Sequence, residues 1–463
     1  MKMVIHRNHF KNKNHDISIA TPWVKKEVKK KICIDTMKKR ILFTLLFLCV
    51  FHSVNAQTKS MILLNGFLHV GNEKTIESAA VGIRDGKISL VRNALAYSFS
   101  REDWDTIIDL KGQHIYPGFI AGNSTLGLTE IDAVRATRDY SEVGEFNPHI
   151  RSQIAYNVES KVISTVRTNG ILLTQATPRG GQISGTSSLM STSGWNWEDA
   201  TILADDGIHV NWPSSLDGGG WWAEPSPKKK NEAYEKEKQA LTDFFEMSKS
   251  YVETEKDKRT DLRLNAMTEC FVGEKRVYFH ADDIQQLLDI IDFAAKFELK
   301  YPVIVGGYDS HLITRKLKDA KIPVMLNRVH SLPENETDAV DLPFRIPALL
   351  QEGGVKFCIQ NHGEMEAMNT RNLPFQAGTA QAYGLTEEQA IRSISLSACE
   401  IMGIGKQYGS IEEGKSATLF ISEGNALDMR SNKITLALIN GQAIDLTNFQ
   451  EELYKRYSSK YKK

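Results

Sequence analysis

The chain has 463 residues, 41% of them hydrophobic and 25% charged, with 57 Lys and Arg against 57 Asp and Glu. This is the composition of an ordinary globular protein, long enough for two or three domains and a large core, and it excludes a disordered or fibrous chain. The balanced charge conceals an asymmetry, because residues 1–56 carry 12 of the Lys and Arg and only 3 of the Asp and Glu, leaving 45 against 54, a net charge near −9.

Residues 1–36 read as a lysine-rich extension with little apolar periodicity. Met37-Lys38-Lys39-Arg40 then forms a basic head, the apolar run Ile41 to Phe51 follows, and Val54-Asn55-Ala56-Gln57 supplies small residues for cleavage. This order predicts a signal peptide over 37–56, a start at Met37, cleavage after Ala56 and a mature protein in the periplasm or otherwise exported. The apolar run is too short for a stable membrane span, which takes roughly 20 residues. The acidic mature chain excludes nucleic acid as a partner, since that needs a basic footprint. Three cysteines remain, Cys270, Cys358 and Cys399, too few and too odd in number for a disulfide framework. Cys358 lies in an apolar run and reads as a small core residue.

In chain order, Met61 to Leu64, Ala80 to Ile83 and Lys87 to Val91 are short strands separated by the turn signals Asn65-Gly66 and Asp85-Gly86. From about 113 to 403, strand-like and helical stretches alternate. Extended runs are expected at Ile171 to Ala176, Arg276 to His280, Tyr301 to Val305, Ile322 to Leu326 and Val355 to Ile359. Helices are expected at 282–297, 310–320, 343–352 and 386–402. Repeated strand–helix units predict a parallel sheet. Residues 178–222 are rich in Gly, Ser, Thr and Trp and break this rhythm, and 180–194 reads as mobile loop. Residues 224–263 read as a charged insertion, a solvated helix whose apolar stripe is Tyr234, Leu241, Phe244 and Phe245. Residues 451–463 form a basic tail. No Gly-x-Ser-x-Gly elbow, phosphate loop or dinucleotide fingerprint is present.

Several separated motifs resemble the amidohydrolase superfamily, in its imidazolonepropionase-like branch. Pro117-Gly118-Phe119-Ile120-Ala121-Gly122-Asn123-Ser124-Thr125 is similar to the family's first barrel strand, Pro-Gly-Phe-Ile-Asp-x-His-x-His. Val81 to Ile88 and Gly409-Ser410-Ile411-Glu412-Glu413-Gly414-Lys415-Ser416-Ala417-Thr418-Leu419 resemble the flanking β-domain. The resemblance implies an α/β fold: a (β/α)8 TIM-like barrel over 117–403, with a small discontinuous β-sandwich domain built from 57–116 and 404–450. It implies a hydrolase of non-peptide C–N bonds in small molecules, working through metal-bound hydroxide.

The family's metal-binding residues are only partly retained. Its two strand-one histidines are replaced by Asn123 and Thr125, and its first Asp by Ala121. His280 matches the strand-five histidine, in an apolar run ending His-Ala, and is expected to be catalytic and a metal ligand. The strand-six histidine position is Gly306-Gly307, with His311 a few residues beyond. His362, beside Asn361, takes the register of the strand-eight aspartate and is expected to be catalytic and a second ligand. Asn123, Thr125, Asn361 and Arg371 are expected to bind substrate. A catalytic zinc needs about three protein ligands, so the resemblance leaves room for one divalent metal such as zinc in an incomplete site. The expectation is an exported amidohydrolase-family protein with weak, altered or lost activity. The alternative is a non-catalytic protein that binds a small ligand or supports a partner, as an oligomer with itself or an intact relative.

Overall fold

Alternating apolar residues build the first five strands. In the computed structural model, which describes residues 60–217, 229–254 and 260–461, these are β1 (Met61–His69), β2 (Thr75–Arg84), β3 (Lys87–Asn93), β4 (Thr106–Asp109) and β5 (His114–Pro117). The expected N-terminal extension and signal peptide lie outside the described residues. Bulges at Leu64/Gly66 and Gly66/Leu68 bend β1, so its first half pairs with β4 and its second with β5. Ile62 and Leu63 consequently enter separate clusters, one around Trp104 and one around Leu68, Ile115 and Leu419. The expected sandwich is a single bent sheet with a core on each face, because the bulged strand passes between both sets of partners.

The chain enters the barrel across one residue, Gly118, whose N–H donates to the Thr418 carbonyl at 3.0 Å. A side chain there would meet Leu172 and Thr418 at 3.0 Å. The first four barrel strands are β6 (Phe119–Ser124), β7 (Ile171–Ala176), β8 (Ile183–Ser191) and β9 (Thr201–Asn211). A two-residue ribbon, β10 (Leu216–Asp217) with β11 (Lys229–Lys230), leads to the helix Tyr234–Glu253. That helix buries Tyr234, Leu241, Phe244 and Phe245, the stripe expected for this region. The remaining barrel strands are β12 (Arg276–Ala281), β13 (Pro302–Gly306), β14 (Val324–Leu326) and β15 (Phe357–Ile359), in spatial order β15-β14-β13-β12-β9-β8-β7-β6.

The barrel departs from expectation in two places. Residues 183–191 are not a mobile loop but a fully buried strand, and β8 runs antiparallel to both neighbours. Its Ser and Thr side chains and Gly185 are small enough to fit between β7 and β9, and the hydroxyls of Thr186 and Ser187 donate to the Pro148 carbonyl and Asp206. The helix expected over 386–402 is two helices, Glu387–Ser393 and Leu396–Ile401, because the chain turns at Ser395 (φ −131°, ψ −95°). Here the Ile394 carbonyl accepts from Ile120 N–H at 2.9 Å, fastening β6 beside the end of the sheet.

Finally β16 (Leu419–Ser422), β17 (Ile434–Ile439) and β18 (Gln442–Ala443) return to the first sheet. β16 pairs with β5 and β17. Tyr116 stacks on Phe420 at 5.3 Å and Phe119 meets it edge-on at 5.0 Å, joining sheet and barrel through one aromatic group.

Candidate functional site

The parallel strands deliver their last residues to one mouth of the barrel, where active sites of this architecture are found. A bulge between Ala121 and Ser124 lifts the end of β6 out of register and puts Asn123 in the left-handed region, φ 48°. Asn tolerates that conformation better than most residues. Three contacts hold it there. Its N–H donates to Gln175 Oε1 at 2.9 Å, and its Oδ1 and carbonyl accept from Arg179 Nη1 and Nη2, both at 2.9 Å.

Arg179 follows the end of β7, in Pro178-Arg179-Gly180-Gly181, where both glycines have positive φ. Its Nη2 also donates to the Glu366 carboxylate at 2.9 and 3.2 Å and lies 3.5 Å from His362 Nδ1. Glu366 bonds His362 Nδ1 as well. Burial opposes the charge on Glu366, but Arg179, then His362, with a hydrogen bond from Thr125, outweigh it and hold the carboxyl at about 2. A buried ion pair thus links Asn123 and His362, two of the positions that the resemblance aligned with metal ligands.

Across the mouth, His280 at the end of β12 contacts His209 of β9, Nε2 to Nδ1 at 2.8 Å. The His209 ring stacks on Tyr278 at 4.6 Å, and its Nε2 lies 2.9 Å from Ser187 Oγ. Ser187 donates to Asp206 Oδ1 at 2.7 Å, while Tyr278 and Gln175 donate to Oδ2 at 2.6 and 2.9 Å. Gln175 therefore joins the two halves. Burial raises the Asp206 pKa against these donors. Burial also depresses both histidines well below the ordinary value, reinforced at His209 by Arg179 and at His280 by His209 and then Arg179. Ser187, His209 and Asp206 do not form a nucleophilic triad. The serine is fully buried and gives its proton to the aspartate rather than to the histidine.

A cavity of about 420 Å³ opens between these groups, lined among others by Asn123, His280, Asp282, Asn327, Glu334 and His362. Burial, then the charge of Glu334, push Asp282 up to about 7 against a hydrogen bond from Tyr308 N–H. Asn327 Nδ2 donates to Asp282 at 3.0 Å. At the strand-six position, a side chain on Gly306 would stand 2.6 Å from Asp282 Oδ1, which accounts for the glycine.

Of the residues expected from sequence, Asn123, His280 and His362 come together on this cavity. Thr125 is buried behind them against Glu366. Asn361 braces the strand-eight turn, accepting from Gln376 and donating to the Glu366 carbonyl at 3.3 Å. Arg371 is exposed in the turn Thr370–Asn372, where its carbonyl accepts from Asn169. His311 contacts the Tyr308 carbonyl at 3.0 Å and does not line the cavity. Sequence reasoning missed Arg179, Glu366, His209 and Asp206. Arg179 carries a usable signal, a charged residue just beyond the end of a barrel strand, and Glu366 stands four residues after His362.

The donor set does not fit a catalytic metal. Among the described residues no group of three or more His, Cys, Asp or Glu side chains is placed to hold one. The Oδ1 of Asn123 is occupied by Arg179, and the guanidinium beside His362 would repel a divalent ion.

Residues 260–444 match the sequence model of the amidohydrolase family. The structure resembles an amidohydrolase from Thermotoga maritima MSB8 with a TM-score of 0.71 and 20% identity, covering 83% of this chain and 99% of that one. It also resembles an A. niger ochratoxinase, with a TM-score of 0.51, 13% identity and coverage of 83% and 95%. A prolidase complexed with N-methylphosphonate-L-proline gives 0.51, 14%, and coverage of 84% and 100%. At such identities the likeness is one of fold. No curated protein sequence matches the chain. Residues 260–444 thus match the amidohydrolase family model, and the described chain shares the fold of those solved structures.

Proposed function

We propose that this is an exported amidohydrolase-family protein that takes a small polar molecule at the barrel mouth, and whose hydrolysis of C–N bonds is weak, altered or lost. The observation that carries the reading is Arg179, a permanent cation bonded to Asn123 and Glu366 in the place of a metal. Metal-bound hydroxide would be the family's nucleophile, and no other side chain among the described lining residues is arranged to replace it. Asn123, His280 and His362 contact the ligand in this reading, whereas Thr125 and Asn361 hold their neighbours in place. Export rests on the basic head, apolar run and small residues of 37–56. No helix among the described residues is long and apolar enough to cross a membrane.

The test is elemental mass spectrometry on protein recovered from the periplasm and purified without chelators, before and after incubation with zinc. We expect a mature chain beginning at Gln57 and far less than one metal per chain. About one zinc, iron or manganese per chain would overturn the lost-metal reading and restore His280 and His362 as ligands. Protein retained in the cytoplasm with its N-terminus intact would overturn export.

A further inference from the structure

We propose that the last helix, Phe449–Ser458, docks the protein onto an anionic lipid bilayer, lying along the membrane surface rather than spanning it. The helix lines no part of the barrel-mouth cavity, so the inference is independent of the ligand reading.

None of the ten residues of this helix is buried. Its fastenings lie at the first turn. Asn448 Oδ1 accepts from Glu451 N–H at 2.9 Å, Gln450 Oε1 accepts from Thr165 Oγ1 at 2.8 Å, and the Lys161 ammonium lies over the Phe449 ring at 4.5 Å. Beyond that turn Tyr454, Tyr457 and Tyr461 stand 71%, 61% and 78% exposed. Their spacing sets them along one face. The Lys460 and Tyr461 N–H groups, donating to the Tyr457 and Ser458 carbonyls at 3.2 and 3.0 Å, carry the coil past the last helical residue as far as Tyr461. A helix this short is not stable alone, and packing within the chain does not account for three large rings left in water.

Charge says what covers them. Residues 453–463 hold five Lys and Arg and no Asp or Glu, whereas residues 57–452 hold 40 against 54. Lys455 and Arg456 in the last turn also complement the helix dipole. Lys460, Lys462 and Lys463 follow the helix in sequence and have no such role. Lys455, Arg456 and Lys460 are exposed, and the Lys460 ammonium lies over the Tyr461 ring at 5.7 Å. Tyrosine rings with basic neighbours seat at the headgroup level of a bilayer, hydrocarbon inward and polar tips outward.

Other occupants fit this surface less well. At 1.5 Å per residue the helix is about 15 Å long. One face of it offers on the order of 200 Å², against roughly 800 Å² per partner in a stable protein interface. A nucleic-acid strand takes a basic groove, and this helix is a ridge. A bilayer needs neither area nor groove, since each Lys or Arg near an anionic surface strengthens binding about fivefold.

Vesicle co-flotation of the full protein tests this, with vesicles of phosphatidylcholine alone and of equal parts phosphatidylcholine and phosphatidylglycerol. One variant carries Lys455→Gln, Arg456→Gln and Lys460→Gln, and a second carries Tyr454→Ser, Tyr457→Ser and Tyr461→Ser. All share one N-terminus, so the apolar run 41–51 contributes equally to each. We expect the unaltered protein to prefer the anionic vesicles and to be released from them by high salt. The charge variant should lose about a hundredfold in partition to the anionic vesicles, and the tyrosine variant about tenfold. Every altered residue is exposed, so the unfolding midpoints should not move. Equal partition of the three proteins, or indifference to lipid charge, would overturn the proposal. A lipid-free dimer in sedimentation equilibrium that the tyrosine variant dissolves would also overturn it, because a second copy would then cover the stripe. So would a single-stranded oligonucleotide bound through the same residues by a protein that leaves the vesicles alone.

Discussion

A guanidinium inside a barrel mouth has to be held by acceptors from several elements, and Arg179 is held by the backbone and side chain of Asn123 and by Glu366. Removing one partner of such a pair strands a buried charge, which costs about 3–5 kcal/mol. Arg179→Met should lower the unfolding free energy by about that amount, and adding Glu366→Gln should recover part of it. Strict additivity in denaturant titrations of the four proteins would show that the pair is not coupled. The sign of the pH effect follows from Glu366, held at about 2 against an ordinary 4.5. Its contribution is complete above 4.5 and is lost as pH falls from there toward 2. Glu366→Gln should therefore flatten the decline of stability between about pH 5 and about pH 3. His280 drew notice because it ends an apolar run, and His362 because the resemblance puts it in the register of the strand-eight aspartate. Arg179 and Glu366 were passed over, since an Arg in a glycine-rich stretch and a Glu at the start of a one-turn helix look like solvent-facing residues unless their place just beyond the barrel strands is weighed.

At the scale of elements, legibility followed periodicity. The helix Ile284–Lys296 was expected from Leu287, Leu288, Ile291 and Ala294/Ala295 at helical spacing; it buries Leu287, Ile290, Phe293 and Ala294 and opens on a capping box of Asp283 with Gln286. By contrast, β8 has no alternation to detect because both of its faces are buried, and its Ser and Thr side chains are satisfied by partners that no local reading can supply. Beside it, Gly207 of β9 is required by contact. A Cβ there would stand 2.3 Å from the Tyr278 ring, the ring that bonds Asp206 and stacks on His209. Gly207→Ala should cost about 1–3 kcal/mol through overpacking. An unfolding midpoint equal to that of the unaltered chain would mean that Tyr278 moves aside freely.

At the scale of the molecule, the composite β-domain was legible from two distant sequence segments, while the pairing of β5 with β16 was not. That pairing makes the last 60 residues part of the scaffold that begins at Met61. A chain ending at residue 403 would expose the edge of β5 and lose Phe420 from between Tyr116 and Phe119. It should be recovered insoluble or without a cooperative thermal transition, whereas the whole chain should unfold in one calorimetric step. A soluble truncated barrel with its own sharp transition would show that the two parts stand alone.

The same pairing sets a clock on biogenesis. When β5 leaves the ribosome, its partner β16 is about 300 residues away, which at about 5–20 residues per second is roughly 15–60 seconds of synthesis. Throughout that interval the early strands offer an open, apolar edge to any neighbour. Holding the early strands apart until β16 arrives is therefore a requirement imposed on the cell by the topology alone.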